Sequence, residues 1–333
     1  MLRLVQITHP KEGRRVGLVD ENRLNLLRGV KSAYRLVEEA FAGKQPMAEA
    51  LRGARSQEWL GYDPIYEGQS DWRLLPPFDH PDEPARCLVT GTGLTHNASA
   101  RNRQAMHAAA NLPVTDSMKM YECGLAGGRP EPGKIGVQPE WFYKGCGTCL
   151  RAHGEALEVP AFGLDGGEEA EVAGIYWIDP LGAPHRVGMA QANEFSDHKL
   201  ESQNYLYLAS SKLRSCSLGP ELIVSPDFSN VGGRVRLLRN GNVLWEKRCA
   251  TGETNMCHTL ANLEHHHFKY PAHRRPRDVH IHFLGADVFS FGDGIELADG
   301  DVMDLQWTGF GRPLRNPLRV KPGPEGLVAV EQI

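Results

Sequence analysis

Glu169 and Glu171, one residue apart, are the strongest chemical signal in this 333-residue sequence. They open an apolar run, Val-Ala-Gly-Ile-Tyr-Trp, that reads as a β-strand. On a strand, residues i and i+2 share a face. Glu169, Glu171, Ala173, Ile175 and Trp177 therefore point the same way. A buried ionised carboxylate is costly unless it is paired or bound to a metal, and two on one face repel each other. A divalent cation answers both problems. The alternative is a strand end whose charges are simply solvated.

Downstream come Ala192-Asn193-Glu194-Phe195-Ser196-Asp197, then Ser211-Lys212, then Leu218-Gly219-Pro220. In this order of motifs the chain resembles the fumarylacetoacetate hydrolase superfamily, with its E-x-E strand, N-D-x-S segment, Lys and L-G-P. The resemblance spans roughly residues 85 to 320. It implies metal ligands at Glu169, Glu171 and Glu194, the last standing where the family has Asp. It implies a predominantly β (α+β) fold, a mixed β-sandwich roll with a small N-terminal α+β domain. It places further candidate substrate contacts at Thr92 in T-G-T-G-L-T-H (Thr90 to His96), Lys144 in P-x-x-F-x-K, Thr254 and Gly285. His198 and Glu201 stand where the family has Arg and Gln, so the substrate chemistry is expected to differ.

Three carboxylates are hard donors that suit Mg²⁺, with Mn²⁺ or Ca²⁺ as alternatives, better than zinc. A 2-keto acid chelated by such an ion has a polarised keto group, and its C3 proton becomes labile. Lys212 is the candidate base, since partial desolvation beside a cation lowers an amine's pKa. His198 and His96 are candidate acids, in the pH range where imidazole titrates. Hydrolases of the family carry H-x-x-E on a lid, but here His96 is followed by Ser99. The pattern resembles the branch that dehydrates 2-keto-3-deoxy sugar acids such as L-2-keto-3-deoxyarabonate to 2-oxoglutarate semialdehyde. A carbon–carbon hydrolase of acylpyruvates, and a sugar-acid-binding protein without activity, are the competing readings.

The elements that position these residues follow from pattern. Residues 1–72 read as a small domain. In it LRLVQIT and RRVGLVD are strands, and a helix runs over SAYRLVEEAFAG with Ser32 as N-cap and Gly43 as stop. The stretch on to Tyr62 reads as weakly helical. Residues 73–86 hold four prolines and connect to a catalytic domain, 87–333. There a strand at Cys87–Thr90 leads into a polar helical stretch ending at Ala110, and Thr115–Gln138 reads as a loop over the site. A helix over Glu194–Glu201 would put Glu194 and His198 on one face. Asn240-Gly241 between alternating strands predicts a type I′ hairpin.

Composition is that of an ordinary globular chain, with net charge −4 and no run of ~18 apolar residues. Nucleic-acid and membrane partners are not expected. The implied partners are a small-molecule 2-keto acid and a second copy of the chain, as a homodimer. Seven cysteines without framework spacing predict reduced thiols and a cytoplasmic setting. Cys146-Gly147-Thr148-Cys149 reads as two small buried residues, not a redox pair. His265-His266-His267 reads as an exposed tract that binds no metal. His282, beside the pocket strand, is a further candidate substrate contact.

Overall fold

The computed structural model describes residues 1–107 and 115–333. The chain forms a mixed, predominantly β architecture of two sheets, one of 13 strands and one of five. At the centre of the larger sheet, the strand Ala170–Ile178 pairs antiparallel with Pro184–Asn193 and with Val279–Phe283. Val279–Phe283 runs parallel to Cys87–Gly91. The smaller sheet has the spatial order Asn242–Thr251, Val231–Arg239, Val302–Trp307, Leu314–Val320, Leu157–Val159.

Alternation along the central strand decides what each face packs on. Ala173, Ile175 and Trp177 enter a core with Phe283, Leu218 and Tyr34. Ala170 and Val172 join Val235, Leu305 and Trp307 of the smaller sheet. Large apolar side chains buried this way contribute about 1.5–3 kcal/mol each. They fix a strand whose first residues carry the buried Glu171.

The N-terminal strands are Leu2–His9, Gly13–Asp20 and Arg23–Leu27. The helix Ala33–Ala42 has the expected caps: the Ser32 side chain accepts from Arg35 N–H, and Gly43 ends it. The following stretch differs from expectation. It is a short helix, Met47–Gly53, and then a strand, Arg55–Gly61, that pairs with Arg23–Leu27. An open sheet edge outweighed a weak helical pattern. The first 72 residues do not stand apart from the rest. Leu2, Arg3 and Leu4 pair with Val224, Ile223 and Leu222, and Tyr34 and Leu36 share a core with Ala173 and Ile175.

The hairpin turn has Asn240 at φ +53 and Gly241 at φ +78, the two positive values a type I′ turn needs. The polar stretch after Gly91 contains the helix Asn97–His107; the end of that reading, 108–110, lies outside the described residues. Thr115–Gln138, read as a loop, contains the helix Asp116–Gly127, capped by the Thr115 side chain at Met118 N–H. Among the described residues no helix is long and apolar enough to cross a membrane.

Candidate metal centre

The ladder between the two central strands builds the site. Ala170 pairs with Asn193. One residue further out, Glu194 N–H donates to Glu169 O at 2.9 Å, and Gly167 and Ser196 form a bridge. Glu194 is thus set opposite Glu169 by strand register. A helix over the whole of Glu194–Glu201 is not formed; the helix begins at His198 and runs to Gln203, with Asp197 as its cap. Between strand and helix the chain kinks at Phe195, whose φ is +26. A non-glycine residue there costs on the order of 1–3 kcal/mol. Asn193 Oδ1 supports the kink, accepting from both Phe195 N–H and Glu169 N–H at 3.1 Å.

Glu169, Glu171 and Glu194 are all buried, and each offers an oxygen within 4.8 Å of the others. Among the described residues this is the one His/Cys/Asp/Glu cluster with metal-ligand spacing. Glu168, which alternation turns the other way, is instead held by Ser290 N–H at 2.7 Å and Ser290 Oγ at 2.9 Å.

Two lysines enter from separate segments. Lys212 Nζ donates to Glu169 Oε1 at 2.6 Å, Glu194 Oε2 at 2.5 Å and Ser196 Oγ at 2.9 Å. Lys144 Nζ lies 2.7 Å from Glu194 Oε1 and also bonds the Phe195 carbonyl. His198 Nε2 is 3.1 Å from Glu169 Oε1, and its ring stacks on Phe289 at 5.0 Å. Burial pushes the Glu171 carboxyl well above its usual range, and the neighbouring Glu194 and Glu169 charges add to it. Burial also raises Glu194, against the pull of Lys144 and Lys212. At His198 burial opposes the charged form, but the bond to Glu169 prevails and the pKa is raised.

Gly285 caps Glu171. Its N–H donates to Glu171 Oε2 at 2.6 Å, from a backbone at φ +99 where a Cβ would lie 1.9 Å from Thr95 Oγ1. Thr95 Oγ1 in turn contacts Leu284 O and His96 Nδ1, both at 2.9 Å. His96 therefore reaches the site's edge through Thr95, and its Nε2 meets Thr251 Oγ1 at 3.1 Å. Burial lowers the His96 pKa to about 4, so the imidazole is neutral at pH 7. Glu201 is buried one turn from His198 on the same helix.

Other candidates fall elsewhere. Thr254 is exposed and bonds Ser229 O at 2.9 Å. Thr92 Oγ1 is turned to His282 Nε2 at 2.9 Å. His282 pairs in register with Gly174, so it faces away from Glu171 across the sheet. The His265–His267 tract is not exposed. It lies on the helix Leu260–Phe268, with His266 and His267 buried. His267 stacks on His282 at 4.4 Å and bonds His280 Nδ1 at 2.9 Å. Two faces of that helix, not one exposed run, take up the three imidazoles.

Ser196, Thr95, Thr251 and Asn193 were not picked out from the sequence as site residues. Ser196 sits inside the E-F-S-D motif, so its place between Glu194 and Lys212 was the most accessible of these. The donor set fits a hard divalent ion: three buried carboxylate groups converge, and their mutual repulsion is already visible at Glu171.

No protein-family model matches the chain, and no curated protein does. Solved structures do. The structure of 2-keto-3-deoxy-D-arabinonate dehydratase complexed with magnesium and 2,5-dioxopentanoate superposes with a TM-score of 0.71 at 19% identity, over 96% of this chain and 100% of that one. Its apo form gives 0.70 at 20% identity over the same shares. The chain has the fold of these dehydratases. A 5-carboxymethyl-2-hydroxymuconate delta-isomerase from Mycobacterium smegmatis is also similar, with a TM-score of 0.59 and 17% identity over 96% and 100%. The fold expected from the motif order is thus the fold found.

Proposed function

We propose that the protein is a divalent-metal-dependent dehydratase of a 2-keto-3-deoxy sugar acid, releasing water to give a semialdehyde. The observation that carries this reading is the buried cluster of Glu169, Glu171 and Glu194 with the Lys212 ammonium between two of them. Glu169, Glu171 and Glu194 would hold Mg²⁺, which when bound supplies Lewis-acid polarisation of a 2-keto group.

The chain's own residues divide the proton work. Lys212 Nζ donates to three oxygens, the full valence of an ammonium. As the neutral amine, Lys212 would take the C3 proton and become the ammonium that these oxygens hold. His198, whose pKa is raised, gives a proton from its imidazolium to the departing C4 hydroxyl, which leaves as water. His96 suits that role less, because burial keeps it neutral. Lys144 and Gly285 N–H hold Glu194 and Glu171 in place. The dioxopentanoate complex of a protein with this fold supports the substrate class. The resemblance also supports a homodimer, and seven free cysteines suit a reducing cytoplasm.

Hydrolysis of an acylpyruvate would need a base for water near His96. Among the described residues, its ring partners are the hydroxyls of Thr95 and Thr251, not a carboxylate. The test is turnover of 2-keto-3-deoxypentonate with and without Mg²⁺, run beside an acylpyruvate. Mg²⁺-dependent formation of a semialdehyde is the expected result. Rapid acylpyruvate cleavage with the deoxy sugar acid untouched would overturn the assignment.

A further inference from the structure

The C-x-x-C motif leads to a thiol pair that its spacing conceals. The Cys146 sulfur lies 3.2 Å from Thr148 Oγ1. Neither cysteine is fully buried, contrary to expectation. Cys149 Sγ instead lies 3.8 Å from the sulfur of Cys216, 67 residues along the chain. We infer that Cys149 and Cys216 form a reversible dithiol oxidation site, which a hydroperoxide closes to a disulfide.

The backbone already provides the required approach. Leu150 and Cys216 are partners in a parallel ladder, so Cys149 is one step from the residue it must reach. Cys149 ends the 3-10 turn Gly147–Cys149 just before that ladder, and its sulfur already lies 3.8 Å from that of Cys216. The Cys149 sulfur rests against Gly145, where a Cβ would lie 3.1 Å away.

The two thiols are unequal in a way that assigns their roles. The contact with the Cys216 thiol, with the Lys144 and Arg151 charges, lowers the Cys149 pKa against burial. Burial and the Cys149 charge push the Cys216 thiol well up. The thiolate is the nucleophile, so Cys149 attacks and Cys216 resolves. The Cys149 sulfur attacks one peroxide oxygen and the O–O bond breaks. The leaving oxygen takes a proton and departs as water or an alcohol, and Cys149 becomes a sulfenic acid. The Cys216 sulfur then attacks the Cys149 sulfur, the S–O bond breaks, and hydroxide leaves as water with the Cys216 proton. Two thiols lose two electrons in total and the peroxide gains them.

The resulting bond would tie the segment after Phe142–Cys146, which carries Lys144, to the strand Cys216–Leu218 that follows Lys212. Three of the other thiols are poorer candidates. Cys87 is buried and pushed well up, and burial takes Cys249 to about 12 and Cys257 to about 11.

The test treats the full-length folded chain with stoichiometric hydrogen peroxide and maps the products by mass spectrometry without reduction. The expected first product is a Cys149–Cys216 linked peptide, reversed by a dithiol reductant. In Cys216→Ser, Cys149 should accumulate as a sulfenic acid that dimedone traps. In Cys149→Ser, the linked peptide and the trapped adduct should both be lost. A first product on Cys123 or Cys146, or a Cys146–Cys149 link, would overturn the inference. These readouts do not involve turnover, so they stand or fall apart from the proposed dehydration.

Discussion

Replacing His282 with Asn should change how stability depends on pH, and by an amount the structure sets. His282 is fully buried, with Nδ1 2.8 Å from Thr90 Oγ1 and Nε2 2.9 Å from Thr92 Oγ1. His267 from the overlying helix stacks on it, and burial, then the His273 charge, lower its pKa from 6.5 to about 3. A group whose pKa is depressed by folding contributes stability that is whole above the unfolded value and is lost as pH falls below it. Between pH 8 and 5 only the unfolded imidazole titrates, since pH 5 lies above the folded value. The linkage relation then gives a loss of about 2 kcal/mol at pH 5 for this one residue. His282→Asn should be less stable than the parent at pH 8, from lost hydrogen bonds and stacking. That deficit should shrink by about 2 kcal/mol at pH 5. Urea unfolding at pH 8, 7, 6 and 5 measures it. A deficit that stays constant across the range would mean that His282 titrates alike in both states, and the argument from burial would fail.

Lys212→Met should abolish dehydration while Mn²⁺ still binds by calorimetry. In the metal-free protein, losing the buried partner of Glu169 and Glu194 should cost about 3–5 kcal/mol, read as a lower unfolding midpoint that added metal restores. Gly285→Ala should weaken Mn²⁺ binding, because a Cβ 1.9 Å from Thr95 Oγ1 displaces the N–H that holds Glu171; the metal-free protein should also melt lower. Glu171→Gln should do the reverse to the metal-free protein. It removes a charge that burial and two neighbouring carboxylates disfavour, so the midpoint at pH 7 should rise while metal binding is lost. A lowered midpoint in that variant would contradict the electrostatic reading of the cluster.

What could be read from the sequence was what depends on local alternation and capping. Glu169 and Glu171 share a face because side chains alternate along a strand, and Ala173 and Ile175 continue that face. Ser32 and Gly43 bounded their helix, and Asn240-Gly241 made its turn, because each acts through its own backbone. Arg55–Gly61 could not be read that way; it is a strand because Arg23–Leu27 leaves an edge for it. The His265–His267 tract failed for the same reason. Its burial comes from His282, His280 and Trp141, which lie elsewhere in the chain.

Glu194 shows where the two kinds of information meet. A helix over Glu194–Glu201 would have brought it together with His198, but no helix connects them. Strand register puts Glu194 opposite Glu169, the Phe195 kink turns the chain, and Asp197 starts a new helix that returns His198 to the same carboxylate. Both residues reach Glu169 although the expected route between them was wrong. The Glu194 carboxylate meets two lysines, Lys144 on Oε1 and Lys212 on Oε2. Each oxygen of Glu194 thus has its own cation. Any metal ion that binds must share Glu194 with these ammonium groups, whereas Glu171 meets a neutral backbone donor at Gly285. The repulsion that burial imposes is therefore concentrated on Glu171, which makes it the carboxylate with most to gain from a bound cation.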